Sequence, residues 1–475
     1  MLIVLFLLSL PAVTPRLYSS DEIQYFSYLR SLWFDRDLSF ENEYQYFYER
    51  GIARAEGFHE TFLERTTATG RRINFGTMGC AVLWAPFYAV GDVIARASGA
   101  PVDGFSRPYV AAVAYGSAAY AFLAILLAIA SARSLGLDAF VAGPVILVGT
   151  PLLFYGYIAP PYSHACSAFA VALFIYVWLR VREHWSIGGL AALGACAALM
   201  TMVREQDAFV VLPVAGDFAL SFVNVKRRMP NAKGRMSNAK DEKTNAKDEN
   251  TNARFLVAAL VGIVTFGLVY SPQAVAYLRL NGHVGPHASV GAKMNWMAPH
   301  ALQVLFSPEH GFFVWTPLAL LAIFGLVASA FSRKIPDGRR IFVLFLLMIA
   351  LQVYVSGSVE SWTVAGAFGQ RRFVALTAIL VIGYAALQRA CAGSNARRAA
   401  LVAITILGVY WNLALIAEFS IGLMDRQKLE PRRNAYDAFV TIPAEAPSLA
   451  YRFLFDRASF YQGARRRAAE AGGPR

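Results

Sequence analysis

Few side chains in this sequence are equipped for chemistry, and those that are gather just beyond the ends of apolar stretches. Asp21-Glu22 follows the first such stretch. A carboxylate there can act as general base on a hydroxyl or amine, and it equally suits the cap of a helix beginning near Ile23. Arg71-Arg72 precedes Asn74-Phe75-Gly76, where two guanidiniums can hold a phosphate or simply anchor the chain at an interface. His164 closes the run Pro160-Pro161-Tyr162-Ser163, as a hydrogen-bond donor to phosphate or a structural histidine. Arg204 opens Arg204-Glu205-Gln206-Asp207 and can pair with an outside anion or with its own neighbours. Arg371-Arg372 closes the loop that starts at Trp362, in which Gly366 and Gly369 permit a tight turn. Glu41-Asn42-Glu43 is a short acidic cluster that a divalent ion can touch. No metal-ligating, P-loop or dinucleotide motif accompanies it, so no cofactor is assigned. Cys80, Cys166, Cys196 and Cys391 form no CxxC or Cys/His spacing and read as small buried apolar residues.

The elements that must hold these residues are apolar. Of 475 residues, 57% are apolar and 16% charged, against about 45–50% and about 25% in soluble domains. So little charge cannot coat a soluble protein of this length. The 34 Phe, 22 Tyr and 8 Trp exclude disorder for most of the chain. The class is an all-α polytopic membrane protein with about 11 transmembrane helices. Met1–Thr14 is short for a span and lacks the charged start of a signal peptide, and we read it as a first span. Residues 15–107 form a long external loop with juxtamembrane helices, one of them carrying Ile23, Phe26, Leu29 and Trp33 on one face. Further apolar stretches run near 108–132, 138–158, 162–180, 186–203, 207–225, 254–278, 312–331, 340–357, 373–390 and 399–418. Residues 226–254 repeat NAK-type heptads without a recurring large apolar position, which predicts a disordered cytoplasmic loop rather than a coiled coil. Residues 419–475 form a short external tail.

Parity decides what 75–97 does. If it stays juxtamembrane or re-entrant, the internal loops carry Arg133, Arg180, Arg182, Arg339, Arg340 and Arg389, with more in the repeat loop. The short external loops then keep only Arg204, Arg279, Lys293, Arg371 and Arg372. If it crosses, every later loop flips, against the positive-inside rule. The net charge of +13 is therefore mostly topology, and no nucleic-acid partner is implied.

Taken in order, Asp21-Glu22, NFGTMGCAVLWAPFY from Asn74, Arg204 after a Gly/Ala-rich span, LFSPEHGFFVWTP from Leu305 and FGQRRF from Phe368 resemble the GT-C glycosyltransferases. The similarity is to the protein O-mannosyltransferase and lipid-A aminoarabinose transferase branch, across residues 1–418. It implies an inverting glycosyltransferase of the bacterial inner membrane. Such an enzyme moves a sugar from a polyprenyl-phosphate donor to a lipid, glycan or protein acceptor at the periplasmic face. The resemblance makes Asp21 the catalytic base with Glu22 beside it. Arg204, Arg371, Arg372 and His164, with Arg71, become candidates to bind the donor phosphate. The rival expectations are a lipid or lipid-linked-sugar flippase and a non-catalytic envelope scaffold. A transporter calls for ionisable residues in mid-span, whereas here, Asp217 and Glu418 apart, they cluster at span ends.

Overall fold

A computed structural model describes residues 1–53, 57–228, 241–332, 335, 337–364 and 366–461, with the backbone alone for 224–228 and 241–252. Among these residues there is no strand, and two isolated β-bridges join Thr66 to Arg72 and Met294 to Val359. Among the described residues eight helices are long and apolar enough to cross a membrane. They include α4 (Gly79–Ser98), α5 (Arg107–Ser134), α7 (His164–Val181), α12 (Gly338–Ser358), α13 (Arg371–Cys391) and α14 (Asn395–Ile421). Glu205–Val223 and Ala253–Asn281 complete the eight and lie at α9 and α10. Shorter apolar helices are α1 (Leu2–Ala12), α8 (Ile187–Val203) and α11 (Leu318–Ala330). At about 1.5 Å per residue these three fall short of a hydrocarbon core of about 30 Å.

Two expectations meet a different structure. The stretch 138–158 is not one helix. It breaks into α6 (Ala142–Val148) and a wide-turn segment, Phe154–Ile158, with Gly149-Thr150-Pro151 between them. Proline cannot donate to the preceding turn, so carbonyls are released there. Asn412 of α14 answers them, its side-chain amide donating to Val148 O at 2.7 Å and Thr150 O at 3.2 Å. Of the heptad-spaced loop, residues 229–240 lie outside those described. From Asp241 the backbone is already helical and continues unbroken to Asn281.

The bundle packs tightly where side chains vanish. A Cβ added at Gly325 of α11 would lie 1.9 Å from Gly383 O of α13. Close approach of backbones through small residues is how apolar helices associate without a hydrophobic driving force. At one end of the bundle, Asp217 is fully buried between Arg182 and Arg340, with Nε contacts of 3.1 and 2.6 Å, and accepts from Trp178 Nε1 at 2.9 Å.

At the other end, α4 begins where α8 stops, with Gly79 against Met202 and Val203. It pairs antiparallel with the first half of α5: Trp84 donates to Ser117, Tyr120 to Leu83 O and Tyr109 to Asp92. Tyr120 of α5 also packs on Phe169 of α7. The length and composition of α4 would allow a crossing, and its Cys80, Trp84 and Tyr88 are buried in the main core. Its partners are the aromatics of the loop before it, with Tyr88 edge-on to Phe26, Trp33 and Phe34.

Candidate functional site

The site grows from the start of one short helix, α2 (Ser20–Arg30). Its N-cap is Ser19, whose Oγ accepts from Asp21 N at 3.2 Å. Glu22 reaches back and accepts from Ser19 N at 3.0 Å and Tyr18 N at 2.8 Å, completing a capping box. The helix therefore leaves the Asp21 carboxylate free of capping duty. Asp21 Oδ2 instead accepts from Arg371 Nη1 at 2.8 Å across 350 positions. Both side chains keep access to solvent, 39% for Asp21 and 23% for Arg371. Glu22 is fully buried, with Oε1 lacking any hydrogen bond. Burial pushes its carboxyl up to about 8, although the Tyr18 and Ser19 amides pull the other way. Glu22 is thus a buried cap next to Asp21, held by the Tyr18 and Ser19 amides.

The loop that delivers Arg371 is built on the LFSPEHG stretch. The His310 ring is buried, which pushes it down to about 4. It stacks on Trp315 at 4.7 Å and its Nε2 donates to Ala367 O at 2.8 Å. Gln370 Nε2 donates to His310 O and to Trp362 O, both at 3.3 Å. Gly366 and Gly369 take φ of 76° and 59°, the left-handed turns that glycine allows without strain. Phe368 between them stacks on Phe154, and its backbone N–H and carbonyl both bond the Tyr155 hydroxyl at 3.1 Å. The two arginines that follow are thereby aimed from the N-terminus of α13. Arg372 is held by Ser361, through its carbonyl and hydroxyl at 3.1 Å each.

The other half of the cluster comes from α7 and α8. Arg204, in extended backbone just after α8, meets Nδ1 of His164 and donates to Gln206 Oε1 at 3.1 Å. It does not take the neighbouring carboxylates. Glu205 accepts from Tyr277, and Asp207 accepts from Ser167 Oγ at 2.6 Å. His164 is buried at the first position of α7 and feels Arg204, Arg371 and Arg372 electrostatically. Arg372 in turn feels Asp21, Arg204 and Arg371. Asp21, His164, Arg204, Arg371 and Arg372 therefore share one electrostatic neighbourhood, with the buried Asp207 also felt by Arg204. Such a site can accept a proton at Asp21 and stabilise an anion beside it.

Arg71 is not among them. It sits on the bridged turn between Thr66 and Arg72, where its carbonyl accepts from Thr67 N at 2.8 Å. The acidic cluster is also occupied: Glu41 pairs with Arg72 at 2.6 Å and Glu43 with Arg30 at 3.1 Å. Residues the sequence reasoning passed over include Tyr162, under the Arg371 guanidinium at 5.7 Å, and Tyr155, 4.4 Å from the His164 ring. The Pro-Pro-Tyr run was the available signal. Asn74 and Phe75 tie to Gln24 of α2, through Gln24 O at 3.1 Å and Oε1 at 2.7 Å, so this stretch steadies the helix that carries Asp21. Compared with known proteins, the chain matches no family model and no curated sequence.

Proposed function

We propose that the protein is an inverting membrane glycosyltransferase that takes a sugar from a polyprenyl-phosphate donor at the external face of a bacterial inner membrane. The observation that carries this reading is the Asp21–Arg371 pair, with Arg204, Arg372 and His164 in the same neighbourhood. A hydroxyl or amine of the acceptor gives its proton to Asp21 as its oxygen or nitrogen bonds to the anomeric carbon. The bond from that carbon to the phosphate oxygen breaks, and the phosphate leaves as an anion beside the arginines. Tyr162 offers a ring face to the Arg371 guanidinium, and Tyr155 packs on the His164 ring.

Orientation supports the same reading. The site lies at the N-terminal ends of α7 and α13 and the C-terminal end of α8. The opposite ends of α7 and α13 carry Arg180, Arg182 and Arg389, as the positive-inside rule asks of a cytoplasmic side. The ionisable residues within spans are held by fixed partners, Asp217 by two arginines and Glu418 by Asn434 at 2.7 Å. That favours an enzyme over a transporter, whose intramembrane charges must change partners.

The test is sugar release in proteoliposomes supplied with polyprenyl-phosphate mannose, glucose or aminoarabinose. Asp21→Asn is expected to lower turnover roughly 10²–10⁴-fold, the range for loss of a general base. Undiminished transfer by Asp21→Asn would sink the catalytic assignment.

A further inference from the structure

A second cluster of arginines shares no residue with the Asp21–Arg371 pair. A cavity of about 440 Å³ is lined by Thr14, Pro15, Arg16, Arg107, Arg457 and Tyr461. Three separate elements supply its guanidiniums: the chain leaving α1, the start of α5, and the segment after α15 (Ile442–Phe455). Among the described residues no carboxylate lines it. Among the described residues none of the three arginines enters an ion pair.

The three are held in place without being neutralised. Arg457 spends its terminal nitrogens on Pro11 O and Val13 O and its Nε on Phe453 O at 2.8 Å. Carbonyls fix the orientation of a guanidinium but leave its full charge. Arg16 lies between two rings, 3.5 Å from the centroid of Tyr461 and 4.7 Å from that of Tyr18, and its buried Nε has no hydrogen-bond partner. Arg107 is exposed at the first turn of α5 and makes no side-chain bond among the described residues. Thr14 and Tyr461 add hydroxyls, which bond each other at 3.2 Å. Like charges brought around one space repel unless an anion joins them, and guanidinium groups match phosphate oxygens in geometry.

We infer that this cavity binds a phosphate group, and that the phosphate belongs to a ligand with a further sugar- or glycerol-sized part. Its volume falls within the range of small-molecule sites. The cavity sits where the apolar α1 gives way to polar chain, which is the depth of a lipid headgroup. The inference is independent of the transfer reaction proposed above, because its readout is binding.

The experiment is native mass spectrometry of the full chain in detergent, with dioleoyl phosphatidate or dioleoyl phosphatidylcholine, each with and without millimolar inorganic phosphate. Phosphatidate is expected to be retained at least about fivefold over phosphatidylcholine, as a compact dianion on several guanidiniums should be. In an Arg371→Gln background, which disables the donor-phosphate cluster proposed above, Arg107→Glu and Arg16→Gln should each bring retention down to the phosphatidylcholine level. Displacement by inorganic phosphate would show that the free ion fills the site by the same chemistry. Resistance to it would mark a lipid headgroup. A lack of preference for phosphatidate together with no phosphate-induced rise in melting temperature overturns the inference. So does a preference that survives Arg107→Glu. Arg107 is exposed, so that variant decides the question even where Arg16→Gln fails to fold.

Discussion

Ser19, Asp21 and Glu22 divide their tasks in a way that residue types alone do not settle. Any of the three can cap a helix. Which one does so depends on where the first turn begins, and helix starts are legible only to within a residue or two. The start at Ser20 gives the caps to Ser19 and Glu22 and frees Asp21 for Arg371. The pairing itself was beyond reach of local pattern, since its partners are 350 positions apart. Glu22 also predicts a pH dependence. Its folded pKa, about 8, lies above the ordinary carboxylate value, with Arg16 and Asp21 the charged groups acting on it and Tyr18 beside it. The folded state therefore holds this proton more tightly than the unfolded state. The contribution to stability is full below about pH 4.5 and is lost as pH rises through about 8. Glu22→Gln keeps an acceptor for both amides and has nothing to ionise. Thermal unfolding followed from pH 5 to 8.5 should fall for the native protein and be markedly flatter for Glu22→Gln.

At the scale of elements, hydropathy located most helices and missed a break. Residues 138–158 read as an unbroken apolar run because Gly, Thr and Pro interrupt a helix without making its window polar. What allows the break is Asn412, on a helix some 260 positions later. In an apolar interior a released carbonyl needs such a partner. Asn412→Ala should destabilise the fold by about 1–3 kcal/mol, the cost of leaving buried polar groups unpaired. Unfolding in mixed micelles measures this, and a loss below about 0.5 kcal/mol would contradict the role given to Asn412. The break also matters to the site, since the segment beyond it carries Tyr155 and leads to His164.

The whole molecule has two chemically different ends. One gathers Asp21, Arg204 and Arg371, while the other holds Asp217 between Arg182 and Arg340. Charge counting along the sequence assigns Arg182 and Arg340 to one side and Arg204 and Arg371 to the other, because loop charges are read without knowledge of packing. It could not anticipate which outer arginines meet the carboxylate. Arg71 and Arg371 each open an Arg-Arg pair, and both loops touch α2, but it is Arg371 that pairs with Asp21. Orientation is open to direct measurement. In a background without native cysteines, Lys428→Cys should react with an impermeant maleimide in intact cells. Gly393→Cys, between α13 and α14, should react only after permeabilisation. The reverse pattern would place the site in the cytoplasm.

Synthesis runs at roughly 5–20 residues per second, and this gives the Asp21–Arg371 pairing a place in time. Asp21 must wait for 350 further residues, roughly 20–70 s at that rate, before its partner exists. The carbonyls of Pro11 and Val13 wait longer still, for Arg457. A nascent chain can therefore be inserted helix by helix while its carboxylate and its early carbonyls remain uncommitted. A chain stopped short of residue 371 would be a membrane protein in every visible respect and would lack the pair on which the proposed chemistry depends.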